Sequence, residues 1–304
     1  MRQYQATLQE NPRCIFSIDV EDWFHILDLP STPPLSEWGL LPSRVEKNFF
    51  HLLEIISEAD VRITCFFLGW VAEKFPHLVR EAQARGHEIA SHGYSHQLVY
   101  RMTPGQFLDD ALKAKKILED VSGSEVTGYR SSGFSVTKDT PWFFETLAAA
   151  GYRYDSSVFP AVRGHGGIAT KQYAPYRVSD GPNGLIEFPI SVARVFGRPV
   201  CFFGGGYLRL FPYLLVKRMT QRVIHEGRPV VFYVHPREID PSHPRLPMRL
   251  LRRFKSYVNL TTTETKIRRL LSEFSFTTFE DAVGEFRSRA ENRDHVKKQD
   301  CQVL

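Results

Sequence analysis

Apolar residues along this chain fall into two patterns: short, nearly unbroken runs, and longer stretches in which they recur at every third or fourth position. The first pattern reads as buried strand and the second as amphipathic helix. The two alternate from Cys14 to about Glu280, as expected when parallel strands are joined by crossover helices. Strands are expected at Cys14–Val20, Arg62–Gly69, His87–His92, Val126–Arg130, Tyr152–Ser156, Leu185–Ile190 and Val230–Val234, the last so apolar that both of its faces should be covered. Between them, Ser43 with Glu46 has the form of a capping box opening a helix through about Ala59. Gly86 stops a helix near Arg85, and Thr103-Pro104 with Gln106 opens a long helix that Gly123 ends. Further helices are expected from about Thr140-Pro141 to Ala150 and from Tyr213 to His225, the latter stopped by Gly227. This number of strand–helix units predicts an α/β fold, a (β/α) barrel rather than an open doubly wound sheet. In either architecture, polar residues at the C-terminal ends of strands face the mouth of the site.

The domain plan is a polar N-terminal extension at 1–13, one large domain over 14–284 with a C-terminal part of its own character from about residue 200, and a mobile charged tail at 285–304. The extension lacks the apolar core of a secretory signal, and the longest apolar runs fall far short of the roughly 20 residues that cross a bilayer, so the expected location is cytoplasmic. Cys14, Cys65, Cys201 and Cys301 show no CxxC spacing and are expected to pack as small apolar residues. A net charge of +5 is modest, but Arg245, Arg249, Arg252, Arg253 and Lys255 crowd together, with Lys266, Arg268 and Arg269 soon after. Such a run is either a solvated face or a surface that docks anionic glycan or acidic lipid headgroups, giving peripheral membrane association. No nucleic-acid-reading signature is present.

The strand ends carry Asp19, Glu21 and Asp22 on the first strand, His92 and His96 after the third, Arg130 after the fourth, and His235 after Val230–Val234. Together these supply what amide hydrolysis requires. His92 and His96 can set two imidazoles on one side of a turn, and either Glu21 or Asp22 would complete three protein ligands for a divalent metal, leaving positions open for water and substrate. An HxxxH pair alone is a weak signal; its coincidence with acids at other strand mouths is what gives it weight. Asp19 is placed to act as the base, or else as a turn cap. His235 titrates in the right range to protonate a departing amine. Arg130 is the expected partner of Asp19. Asp155, in Tyr154-Asp-Ser-Ser157, is either the carboxylate that orients His235 or an Asx-turn residue. Trp23 and Trp38 could stack on sugar rings or pack in the core.

These stretches resemble the motifs of the NodB-type polysaccharide deacetylases, carbohydrate esterase family 4, across most of Cys14 to Glu280. Ser17-Ile-Asp-Val-Glu-Asp22 resembles the first motif, whose leading Asp is the catalytic base and whose later acid binds metal. His92-Gly-Tyr-Ser-His96 resembles the second, the metal histidines; Tyr129-Arg-Ser-Ser-Gly133 is similar to the third, and Val234-His-Pro236 to the last, with the catalytic acid. The resemblance implies a distorted (β/α) barrel of about seven strands, NodB-homology type, and hydrolysis of N-acetyl groups on a glycan. The divalent cation would be zinc, with Co, Ni or Mn as substitutes. Tyr129, beside the motif arginine, and Trp23 are the expected substrate-binding residues. Asp19-Val-Glu-Asp-Trp-Phe-His25, Gly204-Gly-Gly-Tyr-Leu-Arg209 and Tyr257-Val-Asn-Leu260 are similar to the exosortase-associated exopolysaccharide deacetylases, which implies an N-acetylated glycan or lipid-linked oligosaccharide as partner. Two other readings stay open: an allantoinase-like hydrolase of another non-peptide C–N bond, and a non-catalytic carbohydrate-binding protein. The glycine run lacks the lysine of a phosphate loop and reads as a tight loop.

Overall fold

The computed structural model describes residues 13–161, 166–179, 181 and 184–301, with side chains as far as residue 290. The expected 1–13 extension lies outside these apart from Arg13, as does the side chain of Cys301. Among the described residues eleven strands are formed: β1 (Cys14–Val20), β2 (Thr64–Phe67), β3 (Glu88–Ser91), β4 (Gly128–Tyr129), β5 (Tyr154–Asp155), β6 (Tyr176–Arg177), β7 (Ile186–Glu187), β8 (Ala193–Val195), β9 (Arg198–Val200), β10 (Val230–Val234) and β11 (Phe276–Thr277). Parallel pairing runs in the order β10-β1-β2-β3-β4-β5-β7, seven strands that curl into a half-barrel. β6 pairs antiparallel with β7, β11 runs beside the start of β1, and β8–β9 form a separate hairpin.

Among the described residues no ladder joins β7 to β10. The Ser191 hydroxyl spans that seam instead, donating to the Pro229 carbonyl at 3.3 Å and accepting from the Val231 amide at 2.9 Å, while the Tyr233 amide donates to Phe203 at 3.2 Å. Irregular backbone thus meets the hydrogen-bonding needs that a strand would otherwise meet.

Crossover helices cover the outside: α1 (Val45–Glu58), α2 (Gly69–Lys74), α3 (Pro76–Ala84), α4 (Pro104–Ser122), α5 (Phe143–Ala149), α6 (Gly205–Leu210), α7 (Tyr213–His225), α8 (Leu250–Tyr257), α9 (Thr263–Glu273) and α10 (Phe279–Cys301). The Thr103–Gln106 capping box opens α4, and Gly123, in the left-handed region at φ 69°, closes it. The Ser43–Glu46 box does not form. α1 starts one residue later than that box requires, and its first amides, Arg44 and Val45, are held by the Asp22 carboxylate, to which Ser43 also donates. The segment 285–304, expected to be a mobile charged tail, is helical as far as Cys301; its Ala, Glu, Arg, Lys and Gln content favours helix even without an apolar stripe.

β1 shows how the curl positions chemistry. Phe16, Ile18 and Val20 turn outward to the helices, whereas Ile15, Ser17 and Asp19 turn into the barrel, the two-residue period of a strand. The interior is apolar at one end, where Ile15, Phe66, Tyr154 and Phe188 surround Phe279 of α10, and polar at the other.

Candidate active site

At the C-terminal end of β1 the chain leaves the sheet with Glu21 still on the inward side, and Glu21 Oε1 meets two imidazoles, His92 Nε2 and His96 Nε2, each at 3.0 Å. All three side chains are buried. His92 follows β3 directly. His96 is brought back beside it by a turn at Gly93 (φ 73°), and the turn is stapled by Asp110 of α4. That carboxylate accepts from the amides of Tyr94 and Ser95 at 2.8 and 3.0 Å. His96 itself is at φ 53°, the left-handed region that costs a side chain strain, and Phe134 across the cleft is too.

The tautomer of His92 follows from its other nitrogen. Nδ1 lies 2.8 Å from the Arg130 carbonyl oxygen, which can only accept, so Nδ1 carries a hydrogen and Nε2 is the nitrogen turned toward Glu21. One carboxylate oxygen thus has an imidazole nitrogen on either side, an arrangement that either a proton on Nε2 or a cation between them completes. Two histidines and one carboxylate, with their donor atoms within 4.8 Å of one another, are a set that can hold a metal ion with open positions left over. The His92–Arg130 carbonyl contact is the supporting bond that such ligands usually make.

Beside this group lies a second one. Arg130, wholly buried over the ring of Phe66, donates through Nη1 to Asp19 Oδ1 at 2.6 Å and to Ser17 at 2.8 Å. The other oxygen, Asp19 Oδ2, faces His235 Nε2 at 3.9 Å, and that nitrogen is 3.7 Å from Glu21. Burial disfavours a charged His235, but Glu21, Glu238 and Asp19 outweigh it and raise the ring above its ordinary value. Burial likewise opposes ionisation of Glu21, yet the charges of His96 and His235 and the hydrogen bonds from His92 and His96 hold its carboxyl well below the usual range.

Asp19, Glu21, His96 and His235 line one cleft of about 460 Å³. Four expected residues stand elsewhere. Asp22 is turned outward and is occupied at the N-terminus of α1, so Glu21 is the acid that meets the histidines. Asp155 does not touch His235: its oxygens contact Ser157 and it pairs with Glu187 on the neighbouring strand; burial raises both carboxyls, and the charge of Asp155 raises that of Glu187 further. Trp23 is buried, its indole N–H donating to the Pro42 carbonyl, and Tyr129 is packed among Phe107, Phe143 and Tyr152; neither lines the cleft.

The carboxylate beside His235 Nδ1 is Glu238, at 3.5 Å. Glu238 is held in turn by Arg209 at 3.6 Å, and although burial works against its charge, His235 and Arg209 bring its carboxyl down to about 2. The spacing His235-x-x-Glu238 is the sequence signal that would have found it, since a residue three positions on in a turn of 3-10 helix reaches back to the first. His25 was also missed. It lines the cleft, its Nδ1 accepts from the Asp22 amide at 3.0 Å, and its ring is 5.6 Å from that of His96; burial first, then the neighbouring histidines, hold it well below its ordinary value.

A curled parallel half-barrel of this kind is already represented among solved structures. That of a candidate polysaccharide deacetylase from Mycobacterium smegmatis matches 93% of this chain and 93% of its own, with a TM-score of 0.62 at 19% identity. A Puue allantoinase matches over 88% of this chain and 87% of its own, with a TM-score of 0.57 at 19% identity. In sequence, residues 41–154 match the polysaccharide deacetylase family and residues 156–284 match a domain of unknown function, DUF3473. A peptidoglycan deacetylase of Helicobacter pylori is 31% identical over 107 residues, 35% of this chain and 36% of that relative, so the match spans about a third of the relative's length. The segment that carries His92, His96 and Arg130 is thus the part of the chain that is similar to the polysaccharide deacetylase family. Asp19 and Glu21 precede both matched segments, while His235 and Glu238 fall in the second.

Proposed function

We propose that this protein removes acetyl groups from N-acetylhexosamine units of a polysaccharide, and that Glu21, His92 and His96 hold a divalent cation, zinc being the best fit to two imidazoles and a carboxylate. When bound, such a cation supplies Lewis acidity at the acyl carbon. Asp19, one oxygen of which is engaged by Arg130, takes a proton from the attacking water through the other. His235, kept cationic by the carboxylates around it, gives a proton to the nitrogen as the C–N bond breaks. Water is consumed, and acetate and a free amine leave. Glu238 holds His235 in place from the far side of the ring. The observation that carries this reading is the meeting of a base, an acid and a metal-competent triad in one cleft, at the strand ends where this fold places chemistry. A role in exopolysaccharide synthesis follows from the motif resemblance.

The test is acetate release from N-acetylated oligosaccharides by the metal-loaded protein. Asp19→Asn should lower turnover by about 10²–10⁴-fold while bound metal per chain stays the same. Hydrolysis of a cyclic ureide without acetate release would favour the allantoinase-like alternative. Glycan binding with no turnover under any divalent ion would favour a carbohydrate-binding protein.

A further inference from the structure

Between Pro241 and Thr263 the chain has five basic residues and no acidic one. α8 lies within this stretch and has two unlike sides. One is seated on the body of the protein: Ser256 and Tyr257 are buried, Arg209 donates to the carbonyls of Ser256 at 2.6 Å and Lys255 at 3.2 Å, and Arg252 donates to the Leu27 carbonyl at 3.1 Å. The other side presents Leu250, Leu251 and Phe254 at 83%, 68% and 55% exposure, with the exposed Arg249, Arg253 and Lys255 among them. Three large apolar side chains grouped on one exposed helix face mark an interaction surface rather than a solvated one. A second copy of the chain would bring like charges together there. A surface of phosphate headgroups over an apolar layer matches both properties at once.

We propose that α8 docks this protein onto an anionic lipid bilayer, with Leu250, Leu251 and Phe254 entering the boundary between headgroups and acyl chains while Arg249, Arg253 and Lys255 meet the phosphates. The docking does not depend on the catalytic reading, but it adds to it. Arg252, Lys255 and Ser256 line the cleft, as does Leu210 of α6, so a docked α8 turns the cleft mouth toward the headgroup layer, where a glycan tethered to lipid presents its first sugars.

The measurement is co-sedimentation of the full chain with phosphatidylcholine vesicles, with and without phosphatidylglycerol, in the absence of glycan. Binding should be stronger to the anionic vesicles, weaken as salt is raised, and fall roughly tenfold or more in the Leu250→Ser/Phe254→Ser double variant. Both residues are exposed and outside the cleft lining, so the melting temperature and turnover of a soluble glycan should be unchanged. The proposal is overturned if the wild type binds neither kind of vesicle, if the double variant binds as well as the wild type, or if the variant loses only a protein–protein association. A protein that binds vesicles yet releases no acetate would sink the deacetylase reading and leave the docking surface standing.

Discussion

Glu88 opens β3 at the apolar end of the barrel, where Thr64, Tyr154 and the Glu280 amide all donate to its carboxylate. Burial nevertheless dominates these contacts and raises the carboxyl from 4.5 to about 7. A folded-state value above the unfolded one means that the native protein holds this proton more tightly. The stabilisation is full below about pH 4.5 and is lost as pH rises through 7, amounting to at most about 3 kcal/mol. Glu88→Gln should therefore flatten the pH dependence of unfolding free energy between those limits, measured by denaturant titration against the wild type. The same attention to individual positions explains which site residues the sequence made legible. Asp19 and Glu21 share the inward side by the two-residue period of β1, and Asp22 falls on the other; that parity could have separated Glu21 from Asp22 beforehand. Asp155 and Glu238 are separated by spacing: Glu238 stands three positions after His235 in the turn that follows β10, whereas Asp155 lies on a different strand.

At the level of elements, the glycine run Gly204–Gly206 acquires a reason that its lack of a phosphate-loop lysine could not supply. A Cβ on Gly205 would lie 1.4 Å from the Glu238 carboxylate, and one on Gly204 would lie 2.2 Å from the Tyr233 ring. The start of α6 is glycine because β10 and the turn after it press against it. Gly205→Ala should displace Glu238 from His235 and lower kcat at least tenfold while leaving bound metal unchanged, an outcome read from steady-state kinetics with metal analysis of the same preparation. The long strands and the caps of α4 were legible because they are local: period, Thr-Pro and Gly suffice. The start of α1 was not, since Asp22, twenty-two residues before Arg44, caps it in place of Ser43. Side chains that cap helices at a distance leave no short-range pattern.

Across the molecule, the candidate metal group ties the exit of β1 to the turn after β3. An ion bound there binds the native state and not the open chain, so chelation should lower the melting temperature and added zinc should restore it, most simply followed by thermal unfolding monitored by circular dichroism. His92→Ala should show the lower value with or without chelator. The two sequence families that divide the chain do not divide the structure: residues 156–284 provide β7, β10 and β11 to the same sheet and supply His235 to the same cleft. The half-barrel was readable from alternation, whereas the seam at Ser191 was not, because a single hydroxyl replaces a ladder there and imposes no periodicity. Among the described residues no helix is long and apolar enough to cross a membrane.

The pairing of β1 with β10 joins Cys14 to Val230, residues made more than two hundred positions apart. A growing chain emerging from the ribosome can lay β2 against one edge of β1, and β3 against β2, early, but the opposite edge stays unpaired until β10, more than two hundred residues on, has been made. Asp19 and Glu21 therefore stand beside an open flank until then, and the candidate site comes together late, in the step that also brings His235 alongside them.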